Sequence, residues 1–421
     1  MSKQFDILLW GASGFTGRLV ADYLARHAGP NIRWAIGGRN QQKLEEVHRA
    51  ITAVNPTLSD LPILIGDSLD RASLDPLVAQ TRVVCTTVGP YTQYGTPLLA
   101  ACAEQGVDYC DITGETGWMR ANIDTYHSQA EQTGARIVHC CGFDSIPSDL
   151  GVLLLQEAAH EKYGRFCHTI THYIITTKGG LSGGTVASML QTVDQMKEDK
   201  AARRLLADPY NLVPGHEHDW SEVDQQTAVY DPDIRRWTAP FVMAAINSRV
   251  VRRSHALQGF PYGQDFRYRE TTRMADGMRG RLQANGLTLG MGLFIGLASL
   301  TPTRRLLEAT ILPNPGEGPS AEAREQGYFV TNMLGKVANA NGPGESWLKA
   351  TIRGVNDPGY GETAKMLAES ALCLAEAELP PHGPHGPNGP NGGILTPATA
   401  MGMNLVERLR AAGMTFAVSS W

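Results

Sequence analysis

The sequence predicts an α/β protein whose amino-terminal part is a doubly wound parallel sheet, followed by a second, α+β domain built on a mixed sheet. Three observations carry this. Between residues 5 and 145, apolar strand-like runs alternate with segments of helical periodicity. The first of these runs, Ile7 to Trp10, is followed at once by glycines at 11, 14 and 17. From His168 onward the texture changes to alternating β-branched and polar residues, as in THYIITT ending at Thr177, which suits a partly exposed sheet. With 421 residues the chain exceeds one simple core. The expected division is 1–150 for the parallel sheet, 151–356 for a substrate or oligomerisation domain, and 357–421 for helices that pack back on the first domain.

The opening stretch FDILLWGASGFTG, residues 5–17, reads as strand, tight turn and helix. Gly11 permits the sharp turn, Gly14 lets a pyrophosphate approach the backbone, and Gly17 lets the helix pack close to the strand. Ser13, Phe15 and Thr16 complete the turn, and the free amides at the start of the Phe15 to His27 helix favour an anion. A second strand, Ile32 to Ile36, runs into GGRN at 37–40 with Lys43 beyond. A site for NAD would place an acidic side chain here to hold the ribose hydroxyls, whereas an arginine accommodates a 2′-phosphate. Arg39 occupies that place, with Asn40 and Lys43 beside it, so the expected cofactor is NADP(H). The plainer alternative is a solvated helix start.

Next come a helix from Gln41 to Thr52 and a short strand, Leu61 to Ile65. Asp67 follows that strand and either reaches the adenine or caps the helix at Asp70 to Gln80. The fourth strand, Arg82 to Val88, leads into GPYTQYG at 89–95. Thr87, Val88, Gly89 and Pro90 are expected to border the nicotinamide end, with Tyr91 and Tyr94 at the mouth as proton donors or, alternatively, as packing aromatics. A helix at Thr96 to Gln105, a strand at Val107 to Ile112 ending in Asp111 and the TGE turn, a helix at Trp118 to Gln132 and a sixth strand at Ala135 to Cys140 complete the unit. Asp144 and Ser145 lie just past the sixth strand, where they either meet substrate or cap the helix opened by Pro147.

In the second half, Lys178 precedes a glycine cluster at 179–185 and a helix expected at Val186 to Met196. Between Arg235 and Arg281 there are ten arginines, no lysine and three acids, which suggests a dock for an acidic carrier, a phosphorylated arm or an anionic lipid surface. The apolar run at 286–300 spans only about 22 Å as a helix, short of the roughly 30 Å hydrocarbon core. It is therefore a buried core helix, a lid or an interfacial segment. Pro302 to Gly318 reads as a connector, strands near Tyr328 to Leu334 and Trp347 to Gly354 close the second sheet, and a long helix reaches about Glu378. The run 379–393 is a loop by composition, and its His382 and His385, with no third ligand, do not make a metal site. A terminal helix from Pro397 to Ala412 and a short tail end the chain.

Composition fits an ordinary soluble globular protein: 42% hydrophobic, 19% charged, net charge −5 and a pI near 6.2, which argues against bulk nucleic-acid binding. Seven cysteines without a secretory pattern at the start suggest reduced thiols and a cytoplasmic protein.

Several ordered motifs together resemble the saccharopine dehydrogenase-like oxidoreductases, in the branch of trans-acting enoyl reductases. These are GASGFTG at 11, GGRN at 37, VGPYTQYG at 88, DITGE at 111, GFDSIPSDLG at 142, SGGTVAS at 182, PGEGPS at 315, DPGYGETAKMLAESALCLA at 357 and GGILTPATAMG at 392. The resemblance implies an NADP-binding Rossmann domain and reduction of the α,β-double bond of a polyketide, lipid or isoprenoid-like chain, free or carrier-bound, with a partner synthase. Tyr91, Tyr94, Asp144, Ser145 and Lys178 are the catalytic candidates. Imine or carbonyl reduction, and a non-catalytic NADP-binding adaptor on a lipid surface, are the competing readings. A homodimer and a peripheral membrane contact through 286–300 are both left open.

Overall fold

The computed structural model describes residues 3–179, 190, 194, 197, 199–215, 223–300, 302–305, 318–340, 342–376 and 392–421. Among them, fourteen strands form two seven-stranded sheets. The first is wholly parallel, in the order β13-β6-β5-β4-β1-β2-β3. Its strands are β1 (Phe5–Trp10), β2 (Trp34–Gly38), β3 (Ile63–Ile65), β4 (Thr81–Thr86), β5 (Asp108–Cys110), β6 (Arg136–Val138) and β13 (Gly393–Leu395). Strand order reverses between β1 and β4, and ligands of open parallel sheets bind outside the carboxyl ends at such a switch point. All six residues of β1 are buried at the centre of a two-sided sheet: the apolar run Ile7 to Trp10, Phe5, and Asp6, whose carboxylate is paired with Arg33.

The expected six strands are one too few. Gly393–Leu395 returns to pair with Arg136–Val138 and becomes the edge strand. Its three residues lie beyond the histidine- and asparagine-rich run, too short to register as a strand from periodicity alone.

The second sheet is mixed, in the order β14-β12-β11-β7-β10-β9-β8. It comprises β7 (Thr169–Lys178), β8 (Val229–Asp231), β9 (Arg236–Ala239), β10 (Arg267–Arg273), β11 (Tyr328–Ala338), β12 (Glu345–Gly354) and β14 (Thr415–Ser420). Only β7 and β10 pair in parallel. The stretch expected as a tail is thus strand β14, paired with β12. The terminal helix is also two, Pro397–Ala400 and Gly402–Ala411, because Gly402 takes a left-handed φ of 54° at the break.

One helix, Ile146–Tyr163, joins the two sheets. It starts at the carboxyl rim of the first and packs on β11, β12 and β14 of the second, close enough that a Cβ on Gly151 would meet Met333 Cε at 2.5 Å. The helix Gly361–Ala375 is buried along its whole length between the Phe15–His27 helix and the β1, β4 and β5 strands. It stops at Ala375 rather than Glu378, and the 377–391 run, with His382 and His385, falls outside the described residues. So do most of the glycine cluster and most of the helix expected at 186–196.

Two expectations about the second half are narrowed: three of the ten arginines leave the docking surface, and one of the three readings of the apolar run is removed. Arg249, Arg252 and Arg253 are only 3–5% exposed, on the helix Ala244–Leu257, so they cannot belong to a docking face. The apolar run is not a core helix: it belongs to the helix Gly277–Ser299, of which only Gly280, Ala284 and Ala298 are buried.

Candidate active site

The glycine turn is built against the end of β4. Gly11 has φ of 85°, and a Cβ there would sit 2.6 Å from Val88 Cγ2 and 3.0 Å from Thr87 Oγ1. Thr87 Oγ1 in turn donates to the Gly11 carbonyl at 3.2 Å. A Cβ on Gly17 would fall 2.2 Å from the Gly11 carbonyl, so this position holds the helix tight on the strand. Gly14 differs: it is exposed and heads the Phe15–His27 helix with no side-chain cap. The first-turn amides there have no intrahelical acceptors, and Ser13 and Thr16 are partly exposed beside them. This cradle suits a pyrophosphate. The Phe15 side chain turns away from it, edge-on to Tyr360 at 4.7 Å and under the Arg324 guanidinium at 5.5 Å, so only its backbone remains for a cofactor.

At the end of β2, Arg39 is exposed and free of any ion pair among the described residues. Lys43 is exposed one helical turn on, while the Asn40 side chain is committed to capping its helix by accepting from the Lys43 amide at 3.0 Å. Asp67 is exposed past β3 and accepts from the Leu69 amide at 2.9 Å. It is not the helix cap; Asp70 takes that role through the Ala72 amide.

The loop after β4 corrects one expectation. Tyr91 is 4% exposed, its hydroxyl donates to the Thr86 carbonyl at 3.2 Å, and it accepts from the Ile112 amide at 3.3 Å. Burial also pushes its phenol far above the usual range, so Tyr91 is a wedge under the loop and not a donor at the mouth. Tyr94 is half-buried on the same short helix, and Gly89 and Pro90, joined by a cis peptide bond, precede it. Glu115 organises this loop: its carboxylate accepts from the amides of Tyr91 and Thr92 at 2.9 and 2.8 Å and from the Thr92 hydroxyl at 2.5 Å. Beside Thr92 opens a cavity of about 380 Å³ lined by Gly117, Trp118, Ala121, Asp199, Ala202, Leu205 and Leu206, within the range of small-ligand pockets.

The carboxyl ends of β5 and β6 hold a buried dyad. Asp111 Oδ2 lies 2.8 Å from His139 Nδ1 and accepts from the Tyr109 hydroxyl at 3.0 Å, while Oδ1 accepts from the Thr113 amide. His139 Nε2 is buried with no hydrogen-bond partner among the described residues, and its ring sits edge-on to Trp118 at 5.1 Å. Asp144, half-buried just above, is pushed up to about 7, first by desolvation and then by the charge of Asp111. It can therefore carry a proton near neutrality, the property required of a general acid.

Ser145 and Lys178 are placed elsewhere. Ser145 is fully buried, makes no helix-capping bond and donates to Asn247 Oδ1 at 3.1 Å. Asn247 donates onward to Glu270 at 2.9 Å, and Glu270 also accepts from the Tyr268 hydroxyl and lies beside His172. Ser145 thus heads an internal polar chain between the sheets rather than lining the cleft. Lys178 is exposed at the end of β7 and donates to Gln326 at 3.4 Å, bonded to none of the other candidates. Its neighbour Gly179 packs against Asp357 and Pro358, the segment that carries Tyr360 to Phe15.

Sequence reasoning passed over Glu115, His139 and Thr363, whose hydroxyl accepts from the Phe143 amide at 3.1 Å. The TGE turn was visible, but a stapling carboxylate looks like any other loop acid. A lone histidine between Val138 and Cys140 carries no spacing signal.

Comparison with known proteins accords with this geometry. Residues 7–138 match the family described as the saccharopine dehydrogenase NADP binding domain. A Mycobacterium tuberculosis protein, named as a candidate trans-acting enoyl reductase, is 43% identical over 98% of this chain and 97% of its own length. The trans-acting enoyl reductase of Mycobacterium bovis is 38% identical over the same shares. Among solved structures, saccharopine dehydrogenase (L-Glu forming) from Saccharomyces cerevisiae superposes with a TM-score of 0.55 over 99% of both chains, at 13% identity, a likeness of fold alone.

Proposed function

This chain belongs to the trans-acting enoyl reductases of the saccharopine dehydrogenase-like group and is an NADP-dependent oxidoreductase; from that premise we propose that it reduces the α,β-double bond of a lipidic, polyketide or isoprenoid-like acyl group. When bound, the nicotinamide supplies a hydride, which adds to the β carbon. Asp144 would deliver the proton that the α carbon then takes up, and its pKa, raised to about 7 so that it keeps its proton near neutrality, is the observation that carries this reading. Tyr94, on the loop stapled by Glu115, is the second candidate to orient the acyl carbonyl. The Gly11–Gly17 cradle and Arg39 would hold the cofactor's phosphates, and the apolar cavity beside Thr92 would take part of the acyl tail. The word trans-acting in the relatives' names supports a substrate presented on a separate synthase.

The test is NADPH consumption with enoyl thioesters of graded chain length. Asp144→Asn should lower turnover by about 10²–10⁴-fold. Wild-type turnover should fall as pH rises through about 7, because the acid form is then lost. Unchanged turnover in Asp144→Asn would move the acid to Tyr94 or Lys178; turnover of imines or ketones in place of enoyl thioesters would replace the reaction class.

A further inference from the structure

The helix Gly277–Ser299 breaks the rule the rest of the molecule obeys. Met278, Leu282, Leu289, Leu293 and Leu300 are 59–74% exposed. Their spacings of four and seven residues put all five on one side. The buried Gly280, Ala284 and Ala298 lie on the opposite side, where the two ends meet the protein, while Leu287 and Ile295 between them are 38% and 52% exposed. Glycines 286, 290, 292 and 296 have open space around them and add no bulk between the leucines.

Both ends are tied down. The first turns pack on β9, where Arg281 lies over the Trp237 ring at 5.6 Å. At the other end Ala298 packs on Leu190, Lys197 binds the Ser299 carbonyl and Arg304 pairs with Asp194. A helix held along the protein surface at both ends cannot cross a bilayer, although its 23 residues are long enough. It can lie in the plane of one.

Charge selects the kind of surface. From Gly277 to Leu307 there is no acidic residue, while Arg279, Arg281, Arg304 and Arg305 stand at the two ends of the apolar stripe. Arg279 and Arg305 are exposed. Beside the base of the helix, Tyr230 and Trp237 form an edge-on pair at 5.9 Å, and Tyr230 is 48% exposed, an aromatic pairing suited to headgroup depth.

We propose that Gly277–Ser299 is an in-plane anchor that seats this protein on an anionic bilayer, with the leucine stripe among the acyl chains and Arg279 and Arg305 at lipid phosphates. The inference does not depend on which bond the enzyme reduces.

The experiment is co-sedimentation of the full chain with vesicles of phosphatidylcholine alone or with 30 mol% phosphatidylglycerol, about the anionic range that attracts basic segments. Binding to the anionic vesicles that weakens with added salt is expected, and Leu289→Asp with Leu293→Asp should reduce it by about tenfold or more. Retained NADPH binding in that variant shows that it is folded. Absence of binding to anionic vesicles overturns the proposal. So does a wild-type dimer in sedimentation velocity that the double variant makes monomeric without any vesicle effect, since the stripe would then be covered by a second copy.

Discussion

Two helices of this protein exchange the places their compositions would assign them. Ala244–Leu257 carries three arginines and is buried, whereas Gly277–Ser299, rich in leucine and glycine, is exposed. The difference lies in partners. Arg249 reaches Asp224 at 2.8 Å and the Leu206 carbonyl at 3.2 Å; Arg252 donates to the carbonyls of Pro209 and Tyr268; Arg253 donates to those of Leu212 and Ile394. A guanidinium has five donors, and here these donors reach carbonyls of loops, strand edges and a helix end. The Arg253–Ile394 bond also ties the β13 edge strand of the first sheet to the Ala244–Leu257 helix. The leucine helix has no such counterpart on its outer side among the described residues, so a core-like surface is left exposed.

The contrast can be broken most sharply at Arg253. Arg253→Met leaves two buried carbonyls unsatisfied, at about 1–3 kcal/mol each, so urea denaturation should show a loss of about 2–6 kcal/mol. A neutral or stabilising result would mean that burying the charge outweighs the carbonyls it serves, and the comparison would fail.

An exposed arginine should behave differently. Arg39→Ala should leave the urea midpoint unchanged and weaken NADPH binding by about 10–100-fold, with NADH binding unaltered. Equal losses for both nucleotides would remove Arg39 from the 2′-phosphate.

Burial also acts on carboxyls. Asp144 and Asp149 are both pushed up to about 7, chiefly by desolvation. The folded chain then holds their protons more tightly than the unfolded chain does. Their contribution to stability is complete below about pH 4 and lost as pH climbs through about 7, at no more than about 1.4 kcal/mol per pH unit for each group. Denaturation between pH 5 and 8 should show this downward slope, and Asp144→Asn should flatten part of it. A rising slope in that window would contradict the placement of both carboxyls.

The smallest effect belongs to the leucine stripe. Leu293→Ser should change unfolding stability by no more than about 0.5 kcal/mol, as at any exposed site. A loss of several kcal/mol would show that the stripe is packed in the isolated protein.

Legibility followed the same division. The first six strands of the parallel sheet and the glycine turn could be read because unbroken apolar runs, turn glycines and helical periods are local signals. Arg39 was readable because an expected acid was missing. The β13 strand and β14 were not, since three residues behind a low-complexity run and six after a helix gain their order from partners far away in the chain. Tyr91 and Ser145 were found as neighbours of the cleft, but their direction depends on Thr86, Ile112 and Asn247, which no local pattern announces. For Arg249, Arg252 and Arg253, composition suggested a surface because carbonyl acceptors leave no mark in a sequence.

The most direct measurement of the proposed chemistry is a turnover with deuterium-labelled NADPH on an α,β-unsaturated thioester, with the product read by mass spectrometry and NMR. The account predicts a saturated thioester with deuterium on the β carbon and a solvent-derived proton on the α carbon. Deuterium on the carbonyl carbon, with the double bond intact, would contradict it.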